Sequence, residues 1–208
     1  MEPWTNITGV AAPLLVQSID TDVISPMNRL LQGGDALLKY AFEPLRYRQD
    51  GSPNPDFVLN QPEYQGAQIL LAGANFACGS SRETAVWAIA GLGFRCVIAP
   101  SFGDIFFKNC FQNGVLPIVL PTEQVAALAS EAKAGAFHVD LQRCKITSPS
   151  GREIEFVVHP LRRAALLAGL DEIAMTLERE GEIAAFEARD REVRPWIYRF
   201  GPAAKREG

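Results

Sequence analysis

One stretch of this 208-residue chain combines residue types that can act on a small anion: Asn75-Phe76-Ala77-Cys78-Gly79-Ser80-Ser81-Arg82-Glu83. It follows the apolar run Gln68-Ile69-Leu70-Leu71-Ala72, which reads as a buried strand, and it leads into Arg82 to Leu92, which has helical content. A loop between a strand and a helix exposes backbone N–H groups at the positive end of the helix dipole, where an anion is favoured. Gly79 permits close backbone approach or a positive φ. Ser80 and Ser81 add short hydroxyls, and Arg82 adds a planar fork suited to a carboxylate. Ligands of open α/β sheets bind at the carboxyl ends of strands, so the pattern predicts a site for a small carboxylic acid. A purely structural reading stands beside it, because small residues precede many helices and Ser81 with Glu83 can serve as a cap. The stretch is not a Walker loop, since no Gly-Lys-Ser/Thr follows. It is not a G-x-S-x-G elbow either, since Gly79-Ser80-Ser81-Arg82 lacks the second glycine.

The elements around this loop alternate. Arg95 to Ala99 reads as a second buried strand stopped by Pro100, Ser101 as the N-cap of a helix reaching about Asn113, and Val115 to Leu120 as a third strand. A helix over Glu123 to Ala134 follows. This alternation predicts an α/β domain with parallel strands. Ala11 to Val16 is a further candidate strand in an otherwise irregular first third. Gly33-Gly34-Asp35 marks a loop or helix start, and residues 50–56 form a surface loop. Phe137 to Leu141, Lys145 to Thr147 and Glu153 to Val158 alternate polar and apolar residues around the turn at residues 148–151, as an antiparallel hairpin does. Helices are expected over Leu161–Leu167, Asp171–Glu180 and Glu182 to about Arg189. In the charged tail, Trp196, Tyr198 and Phe200 alternate and are expected to dock as an extended segment or to fray.

Composition narrows the function classes. Hydrophobic residues make up 48% and charged residues 21%, with a net charge of −4. These values are close to a globular average and exclude a disordered chain, a collagen-like chain and a generally basic nucleic-acid binder. The length suits one domain, or one plus a small appendage. A run of about 18 apolar residues, as a membrane helix needs, does not occur. Glu2, not a basic residue, precedes the short apolar stretch Gly9 to Val16, so a secretory signal is not expected. Cys78, Cys96, Cys110 and Cys144 are widely spaced and form no C-x-x-C pair, which fits reduced thiols in a cytoplasmic protein. With only His138 and His159 as histidines, no zinc or iron–sulfur ligand spacing is present. No metal site is assigned to this chain; a metal used in its function would sit on another chain.

Several ordered motifs then converge. Asn75 to Ala85, Gly93 to Phe102 and Asp104-Ile105-Phe106 resemble the small-subunit family of 3-isopropylmalate dehydratase, within the aconitase superfamily. The resemblance extends to Asp20-Thr21-Asp22, Pro53 to Asn60, Asn113 to Ile118, Gly169 to Ile173 and Ile183 to Glu187, reaching about residue 190. It implies an α/β fold, the swivelling β/β/α domain of that superfamily, with a mixed sheet and flanking helices over residues 1–190 and a C-terminal tail over 191–208. It implies a hydro-lyase that isomerises 2-isopropylmalate and 3-isopropylmalate by dehydration and rehydration in leucine biosynthesis. A large subunit is implied as partner, in a heterodimer or heterotetramer, and would carry a [4Fe–4S] cluster whose open iron acts as Lewis acid on the substrate hydroxyl and a carboxylate. No cofactor is then expected in this chain, nor a nucleic-acid or membrane partner.

By the same resemblance, Ser80 matches the serine that acts as general base at carbon. Arg82 matches the arginine that grips a substrate carboxylate and supports that serine, Ser81 is a second hydroxyl contact, and Asp22 matches an aspartate near the cluster face. Arg29, in Asn28 to Asp35, is assigned to the variable end of the substrate, with a solvated surface arginine as the alternative. Asn75 and Cys78 shape the loop. Two departures from the family pattern stand out: Thr84 replaces a histidine and Ala77 replaces a glycine. They leave open a diverged paralogue acting on another alkylmalate or a citraconate-type acid, or a non-catalytic partner subunit. A serine hydrolase built on Ser80 is a weaker alternative, because neither histidine has a triad context.

Overall fold

The computed structural model describes residues 1–30 and 36–200. Gly33-Gly34-Asp35 falls outside the described residues. Two compact units divide the chain, Met1–Asp171 and a second that begins at Glu172.

Among the described residues, the first unit contains eight strands in two sheets: β1 (Asn6–Gly9), β2 (Ala11–Leu14), β3 (Ile69–Ala72), β4 (Cys96–Ala99), β5 (Leu116–Val119), β6 (Phe137–Asp140), β7 (Lys145–Thr147) and β8 (Glu153–Glu155). Strands β2-β3-β4-β5 form an all-parallel sheet, with Ile69 opposite Cys96 and Ile98 opposite Ile118. The expected mixture of strand directions thus takes the form of a parallel sheet and a separate antiparallel one, β1-β6-β7-β8. β1 completes the predicted hairpin from the far end of the chain. It is short and ends at Gly9, which is why the first third reads as irregular.

Side-chain alternation on the parallel strands separates two cores. Leu70, Ala72, Val97 and Ala99 face a core with Ile24, Phe42, Phe76 and Phe106, whereas Ile69, Leu71, Cys96 and Ile98 face one with Phe137, Val139 and Ile146 from the antiparallel sheet. Because both faces are covered, β3 and β4 are buried at every position and read as unbroken apolar runs.

Helices cover the first core. Short turns α1 (Thr21–Ile24), α2 (Met27–Leu30), α3 (Ala36–Lys39) and α4 (Glu43–Arg46) occupy the segment between β2 and β3, and α5 (Thr84–Gly91) and α6 (Asp104–Gln112) follow β3 and β4. Helix α5 begins two residues later than predicted, since Arg82 belongs to the loop. Ser101 is not the cap of α6. That place is taken by Gly103, while the Ser101 hydroxyl accepts the Asn75 N–H at 2.8 Å. Helix α7 (Thr122–Ser130) and helix α8 (Pro160–Ala168) complete the unit. The turn-rich residues 50–56 form the expected surface loop, tied by the Asp50 carboxylate accepting from Ser52.

The second unit contains α9 (Glu172–Leu177), α10 (Glu180–Val193) and a 3₁₀ helix over Pro195–Phe200. Helix α10 runs unbroken through residue 190. The aromatic tail is helical, not extended. Asp190 accepts from Arg194 Nε at 2.6 Å and from the Tyr198 hydroxyl at 2.9 Å, and these contacts fold the segment back along the helix. Burial raises the Asp190 carboxyl, but its bonds to Arg194 and Tyr198 outweigh this and hold it below the ordinary aspartate range.

Candidate active site

The loop after β3 is anchored before it presents any chemistry. Phe76 is fully buried and meets Phe106 edge-on at 5.6 Å and Phe102 at 6.5 Å. Its neighbours Asn75 and Ala77 both adopt positive φ, 57° and 55°. A left-handed residue with a β-carbon costs about 1–2 kcal/mol. Burying a phenylalanine returns about 1.5–3 kcal/mol, so Phe76 alone offsets much of that strain. The left-handed backbone gives a physical reason for a glycine at the Ala77 position, where alanine is strained and glycine is not. Asn75 shapes the loop as expected, its side chain donating to the Ser18 hydroxyl at 3.1 Å.

Three of the predicted side chains meet beyond this anchor. Gly79 turns at φ 103°, and Ser80 follows, half-buried. Arg82 Nε donates to Ser80 Oγ at 3.1 Å, and the Arg82 backbone N–H approaches the same oxygen at 3.4 Å. Arg82 Nη2 donates to Asp22 Oδ1 at 2.5 Å. One guanidinium therefore bridges the candidate base and the candidate aspartate. A guanidinium has five N–H donors, so others remain for a substrate carboxylate. Ser81 is exposed and has no side-chain hydrogen bond among the described residues.

Thr21 also belongs to this cluster, which sequence reasoning missed. Its hydroxyl donates to Ser80 Oγ at 2.7 Å, and it is only 2% exposed. Thr21 and Ser80 are 59 positions apart. The one sequence signal for Thr21 is its place between the two acids of Asp20-Thr21-Asp22.

Arg29 lies outside the cluster. It donates from Nε and Nη2 to Glu43 at 2.9 and 2.5 Å and sits 4.2 Å from the Tyr40 ring centre. These bonds raise the Arg29 guanidinium above its ordinary value and hold the Glu43 carboxyl below its own. The pair borders an open pocket of about 540 Å³ with Lys39, Tyr47 and Arg48.

Thr84 opens α5, and its Oγ1 is buried without a hydrogen-bond partner among the described residues. The polar side chains on Ser80 are Thr21 and Arg82, whereas His138 pairs with Thr8 and His159 precedes α8. The hydrolase reading therefore has no base at the serine. Cys96 and Cys110 lie in separate apolar cores with thiols pushed up by burial. No group of three or more His, Cys, Asp or Glu among the described residues is arranged to hold a metal. This donor set does not fit an iron–sulfur cluster.

Residues 1–123, which hold the parallel sheet and the serine–arginine loop at the carboxyl end of its inner strand β3, match the family described as the aconitase C-terminal domain. Residues 172–200 match the family described as the C-terminal domain of the 3-isopropylmalate dehydratase small subunit. The 3-isopropylmalate dehydratase small subunit of Paramagnetospirillum magneticum is 54% identical over 201 residues, which cover 95% of this chain and 100% of that protein. The corresponding protein of Agrobacterium fabrum is 50% identical over 200 residues, covering 94% and 100%. A crystal structure of 3-isopropylmalate dehydratase (LeuD) from Methanocaldococcus jannaschii is similar with a TM-score of 0.64 at 27% identity, over 86% of this chain and 98% of that one. The chain belongs to the 3-isopropylmalate dehydratase small-subunit family. No helix among the described residues is long and apolar enough to cross a membrane.

Proposed function

We propose that this chain is the small subunit of a cytoplasmic hydro-lyase that interconverts 2-isopropylmalate and 3-isopropylmalate in leucine biosynthesis. The observation that carries the reading is the Arg82 bridge between Ser80 Oγ and Asp22, in a chain related over nearly its full length to named small subunits.

Ser80 is the general base that takes a proton from the substrate carbon. A neutral hydroxyl is a poor base, so the working form is an alkoxide, and a guanidinium N–H donating to the oxygen stabilises that charge. Arg82 also grips a substrate carboxylate with its remaining donors, and Asp22 fixes its orientation. Ser81 offers a second hydroxyl to the substrate. Arg29, held by Glu43 and Tyr40, reads the variable end of the acid. The [4Fe–4S] cluster is assigned to a large subunit, joined in a heterodimer or heterotetramer, an assignment supported by the kinship to named small subunits. Thr84 and Ala77 favour a second reading within the same reaction class, in which the acid is another alkylmalate or a citraconate-type acid.

The test is reconstitution with a cluster-loaded large subunit and assay against a panel of malate-type acids. Turnover is expected with isopropylmalate. Ser80→Ala and Arg82→Lys should each lower it by at least about 10²-fold. Full turnover by either variant overturns the assigned roles, and a silent but assembled complex across the panel points to a non-catalytic subunit.

A further inference from the structure

We infer that Thr21 is a positioning residue for the proposed base, supplying through its hydroxyl the second arm of a cradle around Ser80 Oγ. The inference rests on the reading of Ser80 as base and extends it to a residue that touches neither substrate nor cluster in that reading.

The placement of Thr21 is built into the backbone. Asp20 caps α1, its carboxylate accepting the Val23 N–H at 2.8 Å. The Thr21 N–H donates to the Cys78 carbonyl at 2.9 Å, and Asp20 and Cys78 form a parallel bridge. The threonine is thus tied to the serine loop two residues before Ser80, and its hydroxyl has little freedom to leave. It is buried, so water competes poorly for it.

The geometry fixes what Ser80 can do. A neutral serine hydroxyl has one proton and two lone pairs. Thr21 Oγ1–H at 2.7 Å and Arg82 Nε–H at 3.1 Å are the two closest donors and take its lone pairs, with the Arg82 backbone N–H a longer third contact at 3.4 Å. The Ser80 proton must therefore point away from both donors. When that proton is lost to solvent, the oxygen retains both donors without rearrangement. A proton then taken from substrate carbon restores the hydroxyl in the same orientation. Preorganised donors aimed at a charged oxygen in a partly buried site contribute strongly to rate. Arg82 supplies charge. Thr21 supplies a neutral donor whose position does not depend on how substrate engages the arginine.

The experiment uses the complex of the full chain with its cluster-loaded large subunit and isopropylmalate as probe. Thr21→Val keeps the branched shape and removes the donor. It should lower kcat by about 10²-fold, leave KM unchanged and move to higher pH the ascending limb of the pH–kcat profile, which reports ionisation of the base. Thr21→Ser keeps the donor and should restore most of the turnover and the original limb. Thr21→Ala and Thr21→Ser differ only by the hydroxyl, so their ratio carries the test even where the valine variant folds poorly. Unchanged kcat and pH profile in Thr21→Val, or equal losses in the alanine and serine variants, overturns the inference. Ser80→Ala separates the two readings. If it retains turnover, the base assignment itself fails. If it abolishes turnover while Thr21→Val does not, only the role of Thr21 fails.

Discussion

Gly103 lies directly against the carbonyl of Ala77: a β-carbon on Gly103 would stand 2.4 Å from that oxygen and 3.1 Å from Cys78 Cα. Two loops, one after β3 and one after β4, therefore approach through a contact that no larger residue permits. The atoms it would displace are backbone, so the loop carrying Ser80 must shift. Gly103→Ala is expected to destabilise the fold by about 1–3 kcal/mol and to lower kcat of the assembled enzyme more than it changes KM. Denaturant titration and steady-state kinetics check this. Wild-type stability with unchanged kcat shows that the contact is dispensable.

The orphaned hydroxyl of Thr84 gives an opposite expectation. Removing a buried polar group that lacks a partner, at constant shape, relieves its desolvation cost. Thr84→Val should raise stability by about 1 kcal/mol. A lower melting temperature means that the hydroxyl finds a partner in solution.

Arg29 tests the substrate assignment separately. Losing a charge-assisted contact to the variable end of the acid should raise KM by about tenfold in Arg29→Ala, with kcat little changed. Glu43 loses its partner in the same variant, and its carboxyl returns toward the ordinary range. An unaltered KM reduces Arg29 to a structural partner of Glu43.

Asp190 sets a pH dependence for the C-terminal unit. Its carboxyl is held below the unfolded value, so the unfolded unit binds more protons in acid. The stabilisation is complete above the unfolded aspartate value, about 3.9, and is lost as pH falls through the lower folded value. Amide protection over residues 172–200, taken relative to the intrinsic exchange rate at each pH, should fall in that window. Asp190→Asn should show fast exchange already at neutral pH, and equal protection in the two proteins disproves the role.

Much of the fold was legible because buried parallel strands carry unbroken apolar runs. Ile69 to Ala72 and Cys96 to Ala99 declare themselves, and Pro100 and Gly93 punctuate them. β1 was not legible, because its partner Phe137–Asp140 lies far along the chain and a four-residue strand has no local signature. The Ser101 cap was misread because a serine before an acidic helix start fits the rule, and only the tertiary structure shows its hydroxyl turned to Asn75. At the site, Ser80, Arg82 and Asp22 were singled out and are brought together. Arg29 was singled out with them but is bound to Glu43 apart from the cluster. The tail was misjudged because Trp196, Tyr198 and Phe200 alternate like a strand, whereas the decisive partner, Asp190, sits in the preceding helix.

The hydroxyl pair of Thr21 and Ser80 joins the segment that follows β2 to the loop that follows β3, two strands paired in parallel. The cradle thus depends on long-range contacts between segments 59 positions apart, not on the local structure of either one. Loss of the register between those segments would separate the two hydroxyls while leaving each helix and strand in place, so warming should lower turnover before the circular-dichroism signal of the secondary structure falls.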